Sequence, residues 1–185
     1  TGAMVLHQPV KRQIFNVRAT YQREAEKAVD HLHTLGIQRI ALVHADDSFG
    51  RDGLEGANKG LTKASIQPVA VIKADRAKPD YTQIVPALVK ANPQAVLWIA
   101  SGNGVADGVR ALRVAGSAAQ VVTLSNNASS GFIKSLGEHA RGVIVTQVFP
   151  DERSIAFPMV KEAQEMAKAR NLGDVGPAML EGVAA

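Results

Sequence analysis

The sequence predicts an α/β fold: a doubly wound parallel sheet of about five strands with helices on both faces. Short apolar runs alternate with amphipathic stretches of helical period along most of the chain, the signature of successive βα units. The apolar runs, Ile40–Ala45 and Ala95–Ala100 among them, show little polar alternation, as expected of strands covered on both faces. Alanine, valine and glycine dominate while aromatics make up only 4% of residues, a composition suited to tightly packed layers. Right-handed crossovers then place helices on both sides of the sheet.

Each element can be justified in turn. Gln13–Arg18 reads as a strand. A helix from Tyr21 sets Ala25, Ala28, Val29, Leu32 and Leu35 on one face and ends at Gly36 in the C′ position, where glycine is favoured. Arg39–Ala45 is a strand, and the next helix carries Leu54, Ala57, Leu61 and Ala64 on one stripe, with Gly53, Gly56 and Gly60 allowing close approach. Pro68–Lys73 is a strand near an edge, the place where proline is best tolerated. A helix capped by Asp80 runs to Ala91, with Pro86 expected to kink it or shorten its regular part. Ala95–Ala100 is a strand, Val105–Ala115 a helix closed by Gly116, Gln120–Leu124 a strand, Ser130–Leu136 a short helix and Gly142–Val148 the last strand. Around Phe149–Arg153 the composition breaks. Ile155–Asn171 is a longer helix, Pro177 starts another, and their apolar residues Ile155, Met159 and Met166 are expected to find no partner on the sheet.

Composition narrows the function classes. The chain of 185 residues suits one ordinary domain with a real core. Its formal charge of +4 comes from lysines and arginines scattered among acids, which is solvated surface rather than the clustered basic face of a nucleic-acid protein. A basic rim facing anionic lipid or an acidic ligand stays open. The absence of cysteine excludes disulfides, thiol catalysis and thiolate metal sites. No apolar run approaches the length of a membrane span and none reads as a signal peptide. The abrupt start on Thr1-Gly-Ala-Met-Val is what a processed or truncated product would show.

In a parallel sheet every strand ends at the same edge, and ligands sit in the loops there. Those loops hold Asp46, Asp47, Ser48 and Phe49; Ala74, Asp75 and Arg76; Ser101, Gly102, Asn103 and Gly104; and Ser125, Asn126 and Asn127. Small hydrogen-bonding groups and glycine suit a polar small molecule. The edge has no histidine, and the positioned acid or base of proton-transfer chemistry is missing. Asp47 or Ser48 is equally suited to cap the following helix, and Phe49 to be ligand wall or core. Ser101-Gly-Asn-Gly104 has neither phosphate-loop spacing, and no nucleophile elbow is present. The receiver-domain reading of Asp46-Asp47 fails because Ser101 and Val148 stand where an acceptor Asp and a Lys are needed. The histidines are scattered and form no metal set. Neither an enzyme, a cofactor nor a metal is expected.

The runs Phe15-Asn-Val-Arg-Ala-Thr-Tyr and His44-Ala-Asp-Asp-Ser-Phe-Gly-Arg-Asp-Gly, followed by Asp80-Tyr-Thr-Gln, Ala91-Asn-Pro-Gln-Ala-Val and Gly142-Val-Ile-Val-Thr-Gln-Val, give the chain a family likeness. It resembles the type I periplasmic binding proteins of the Leu/Ile/Val-binding family, with order and spacing kept over nearly the whole length. The resemblance implies a periplasmic, extracytoplasmic receptor of an ABC importer, with a small-molecule ligand and a permease as partners and no enzymatic activity. It further implies that residues 1–19 are the end of lobe 1 and the first hinge crossing, 20–147 the ligand-binding lobe 2, and 148–185 a return crossing with truncated lobe 1 helices. The alternative is a ligand-sensing domain of a receptor or transcription regulator with the same fold.

By position, the resemblance puts Phe49 at an aromatic wall and Ser101 and Gly102 on a contacting loop. Ser125 falls where amino-acid binders carry an acid for the ligand ammonium. Serine cannot neutralise a cation, so either Asp46, Asp75 or a lobe 1 residue supplies the charge, or the ligand is a carboxylic or aromatic acid or an amide. The expected ligand contacts are Phe49, Ser101, Gly102, Ser125, Asn126 and Asp47.

Overall fold

The computed structural model describes residues 1–185. Five parallel strands are ordered β2-β1-β3-β4-β5: β1 is Ile40–Ala45, β2 Ala70–Ala74, β3 Ala95–Ile99, β4 Gln120–Thr123 and β5 Val143–Val145. The expected doubly wound α/β architecture is therefore present. Helices α1 (Tyr21–Thr34) and α2 (Ser48–Lys63) cover one face, and α3 (Tyr81–Ala91), α4 (Asn103–Val114) and α5 (Ser130–Leu136) cover the other. The central strand β3 feeds both layers by alternation: Leu97 and Ile99 enter the core under α1 and α2, while Val96 and Trp98 enter the core under α3, α4 and α5.

Sequence chemistry sets the boundaries. Thr20 caps α1 by accepting the Arg23 N–H at 3.1 Å, and Gly36 follows the helix in the left-handed region at φ 77°. Asp80 caps α3, which continues through Pro86 without a break in the helix assignment. The outer strands are short and half-buried, unlike β1 and β3, which are buried throughout.

Three expectations need correction. Gln13–Arg18 is not a strand: no neighbour lies beside it to complete a ladder, and Phe15 is 85% exposed. β5 stops at Val145 because its partner β4 ends at Thr123 and the chain then turns into a 3₁₀ segment. The helix after Pro150, α6, starts only at Pro158 and ends at Ala169, because proline belongs in the first turn. α6 and α7 (Pro177–Ala184) pack on each other through Val160, Ala163 and Leu180, with Phe149, Met159, Val175 and Val183 around them. Ile155 and Met166 are exposed, and Met159 instead joins this small cluster. No helix is long and apolar enough to cross a membrane.

Candidate functional site

Because all strands run parallel, the four strand-end loops meet at one edge, and hydrogen bonds between them show which side chains converge. Asp47 is the N-cap of α2: its Oδ1 accepts the Gly50 N–H at 2.8 Å. Its Oδ2 takes the Nε–H of Arg76, from the loop after β2. Burial opposes ionisation of Asp47, but the Arg76 guanidinium and the Gly50 and Phe49 N–H groups outweigh it and hold the carboxyl below its ordinary value. What Asp47 contributes is thus present above the ordinary carboxylate pKa and lost as pH falls through the lower folded value. Asp47→Ala is expected to cost about 1–2 kcal/mol in urea denaturation, and Asp47→Asn, which keeps a capping oxygen, much less. Equal losses would make the Arg76 pair, not the cap, the dominant contribution.

Phe49 is half-buried. Its ring meets Tyr21 edge-on at 4.7 Å and 83°, and the Arg76 guanidinium lies over it, 5.3 Å from the centroid. One part of the ring packs against the α1–α2 core while the rest remains at the edge.

The loop after β3 is tied down from β4. Asn127, only 2% exposed, accepts the Gly102 N–H at 2.8 Å and donates to Ala100 O at 3.0 Å and to Thr123 Oγ1 at 2.7 Å. Gly102 has φ 50° and ψ −126°, a backbone conformation open essentially to glycine alone. The Tyr81 hydroxyl donates to Gly104 O at 2.7 Å and steadies the first turn of α4. Ser101 and Asn126 remain exposed: Ser101 Oγ accepts from Asn126 Nδ2 and from Arg76 Nη1, each at 3.2 Å. The structure therefore brings Asp47, Phe49, Ser101 and Asn126 into one cluster around Arg76, with Gly102 beneath.

Ser125 belongs to a different, mostly buried cluster. Glu24 Oε1 accepts from Arg18 Nη2 at 2.9 Å and Ser125 Oγ at 2.9 Å, while Oε2 accepts from the Ser125 N–H at 3.0 Å and Thr146 Oγ1 at 2.8 Å. Arg18 Nη2 also reaches Ser125 Oγ, and Nη1 donates to Glu181 Oε2 on α7 at 3.0 Å. The Arg18 and Glu24 side chains are 8% and 3% exposed. The acids expected to answer a ligand ammonium are engaged otherwise. Asp46 pairs with Lys73 at 3.1 Å, and Asp75 Oδ1 accepts the N–H groups of Ala77 and Lys78. No group of residues forms a candidate metal site.

Two concavities, ≈ 510 Å³ and ≈ 460 Å³, lie outside the Arg76 cluster. One is at the opposite edge, between Leu88–Gln94 and Ala115–Ala119, and the other runs along α1 past Glu24 and Thr146 toward His31. The convergence of side chains, not enclosure, marks the candidate edge.

A family model described as "Periplasmic binding protein" matches residues 3–176. The chain belongs to the periplasmic binding protein family. Solved structures similar to it include a substrate-binding periplasmic protein from Ralstonia solanacearum, 26% identical over 99% of this chain and 52% of that one, with a TM-score of 0.86. An extracellular ligand-binding receptor from Verminephrobacter eiseniae is 26% identical over 99% of this chain and 54% of its own, with a TM-score of 0.81. A possible leucine/isoleucine/valine-binding protein from Rhodopirellula baltica is 25% identical over 99% of this chain and 51% of its own, with a TM-score of 0.84. The chain thus spans about half the length of the solved structures it matches. Comparison with curated proteins gave no match.

Within this periplasmic binding protein fold, sequence reasoning missed Arg18, Glu24 and Tyr21, and placed Arg76 at the edge without a role. Glu24 had a signal. It precedes Ala28 by four residues and so lies on the buried stripe of α1, where a carboxylate requires a partner.

Proposed function

We propose that the chain is the ligand-binding lobe 2 (residues 20–147), with hinge and lobe 1 segments at 1–19 and 148–185, of an extracytoplasmic solute-binding receptor of an ABC importer. The receptor is periplasmic and closes two lobes on a branched-chain amino acid or a related small carboxylic or aromatic acid. It then delivers that ligand to a membrane permease without chemical change. The observation that carries this reading is the convergence of Phe49, Ser101 and Asn126 around Arg76 at the carboxyl edge, in a chain of this family. An aromatic face beside neutral donors and acceptors is the inventory of a binding surface. Similarity to the possible leucine/isoleucine/valine-binding protein of Rhodopirellula baltica supports the class of ligand.

A thermal-shift panel of amino acids, aromatic acids and short dicarboxylates on the full-length protein tests it. A true ligand at a hundredfold excess over Kd adds about 2.7 kcal/mol of stability by mass action. The expected result is stabilisation by one compound class, largely lost in Phe49→Ala. Stabilisation that survives both Phe49→Ala and Ser125→Ala would move the site elsewhere. Turnover of a ligand by the complete protein would overturn the receptor reading.

A further inference from the structure

The edge is rich in donors, and most of its carboxylate oxygens are already engaged. Glu24 already accepts four hydrogen bonds, about the full capacity of a carboxylate. Asp47 divides its two oxygens between the Gly50 N–H and Arg76. Asp46 is paired with Lys73, and Asp75 closes its own turn.

The donors are arranged differently. Arg76 is anchored by Nε–H to Asp47 and Nη1 to Ser101, with the ring of Phe49 beneath the guanidinium. Nη2 makes no hydrogen bond within the protein, and the side chain is 46% exposed. Ser101 Oγ receives hydrogen bonds from both Arg76 and Asn126. A hydroxyl has two lone pairs and one proton, so with both lone pairs taken the proton of this exposed hydroxyl stays free for a further acceptor. Arg76 Nη2 and the Ser101 hydroxyl therefore present donors together beside an aromatic face. A guanidinium held in one plane is the side chain best matched to a carboxylate.

We infer that the ligand is an organic acid lacking an ammonium group, and that Arg76 and Ser101 receive its carboxylate while Phe49 faces its hydrocarbon part. This rests on the receptor reading and narrows its ligand class. Arg76 is the specificity-determining residue: it rewards an anion, and neither Glu24 nor Asp47 has an uncommitted oxygen for a cationic group.

Matched probes test the inference on the full-length protein by titration calorimetry. They are 3-methylbutanoate, 3-methylbutanamide and leucine, and phenylacetate, phenylacetamide and phenylalanine. The expected result is that at least one acid binds tenfold or more tightly than its amide and its amino acid. Arg76→Gln then weakens that acid at least tenfold and leaves its amide within twofold, while Arg76→Lys, keeping the charge without the fork, falls between. An amide unaffected by Arg76→Gln also shows that the variant is folded. Leucine or phenylalanine binding best, with a Kd unchanged in Arg76→Gln and Arg76→Lys, overturns the inference and leaves the receptor reading standing. Failure of all six probes to bind, when an amino acid of the thermal-shift panel does bind, overturns the inference alone.

Discussion

Glu24→Ala is expected to cost about 3–5 kcal/mol of folding stability, the range seen when one member of a buried ion pair is removed. For a chain of this size the melting temperature falls on the order of 10 °C. The substitution strands Arg18, whose Nε is already buried without a partner, and takes away the acceptor for the Ser125 N–H and the Ser125 and Thr146 hydroxyls. Glu181 still holds one side of the guanidinium, which keeps the loss from growing further. The effect belongs to an unmatched charge, so removing both ions should relieve it: Arg18→Met combined with Glu24→Leu is expected to recover most of the loss. Thermal and urea unfolding of Arg18→Met, Glu24→Leu and the double variant measure the coupling. Additive losses would show that Arg18 and Glu24 stabilise the protein independently. The pair joins the segment before α1, the end of β4 and α7, so its loss should also loosen α6 and α7 against the sheet.

The fold was legible where one rule governed each boundary. Ser130–Leu136 has the expected ends, since Ser129 caps it by accepting the Phe132 N–H and Gly137 ends it with positive φ. Pro177 opens α7, as proline in a first turn should. The failures share a cause. Gln13–Arg18 and the last residues of Gly142–Val148 have strand-like composition, but strand formation depends on a neighbour that sequence alone does not supply. Pro68 placed β2 near an edge, where it lies, but no residue of Gly142–Val148 marks β5 as the other edge, because an edge position is a property of sheet order.

The candidate edge was legible as a set of loops, since parallel strands dictate it. Its internal wiring was not. Arg76 reaches Asp47 and Ser101 across 29 and 25 residues of sequence, and no local pattern announces such pairings. The loop after β1 was open to two readings, and Asp47 proves to be both the cap and the anchor of Arg76. Ser125 looked like a vacancy for an acid. The acid is beside it, supplied by Glu24 from 101 residues away and already committed to Arg18.

Gly56→Ala is expected to destabilise the protein by about 3 kcal/mol, at the upper end of overpacking losses. A methyl at this position would lie 2.0 Å from the Gln22 carbonyl oxygen and 2.6 Å from its carbon and Cα. Those atoms are backbone of α1, so no rotamer change can clear the contact and the two helices must separate. Separation reaches the candidate edge, because α1 and α2 deliver Tyr21 and Phe49 to their edge-on contact, and Lys59 of α2 holds Gln22 Oε1 at 2.8 Å. The variant should therefore weaken binding of any ligand that uses Phe49, although Gly56 itself is buried in α2 beside α1, away from the edge loops. Gly182→Ala is the control: nothing lies within 4 Å of a methyl there, and replacing a helical glycine gains about 0.5–1 kcal/mol. Urea denaturation of both variants, with near-ultraviolet dichroism reporting the Tyr21–Phe49 packing, checks the result. A Gly56→Ala variant as stable as the parent would mean that α1 and α2 do not cross this closely, and the placement of Tyr21 against Phe49 would fall with it.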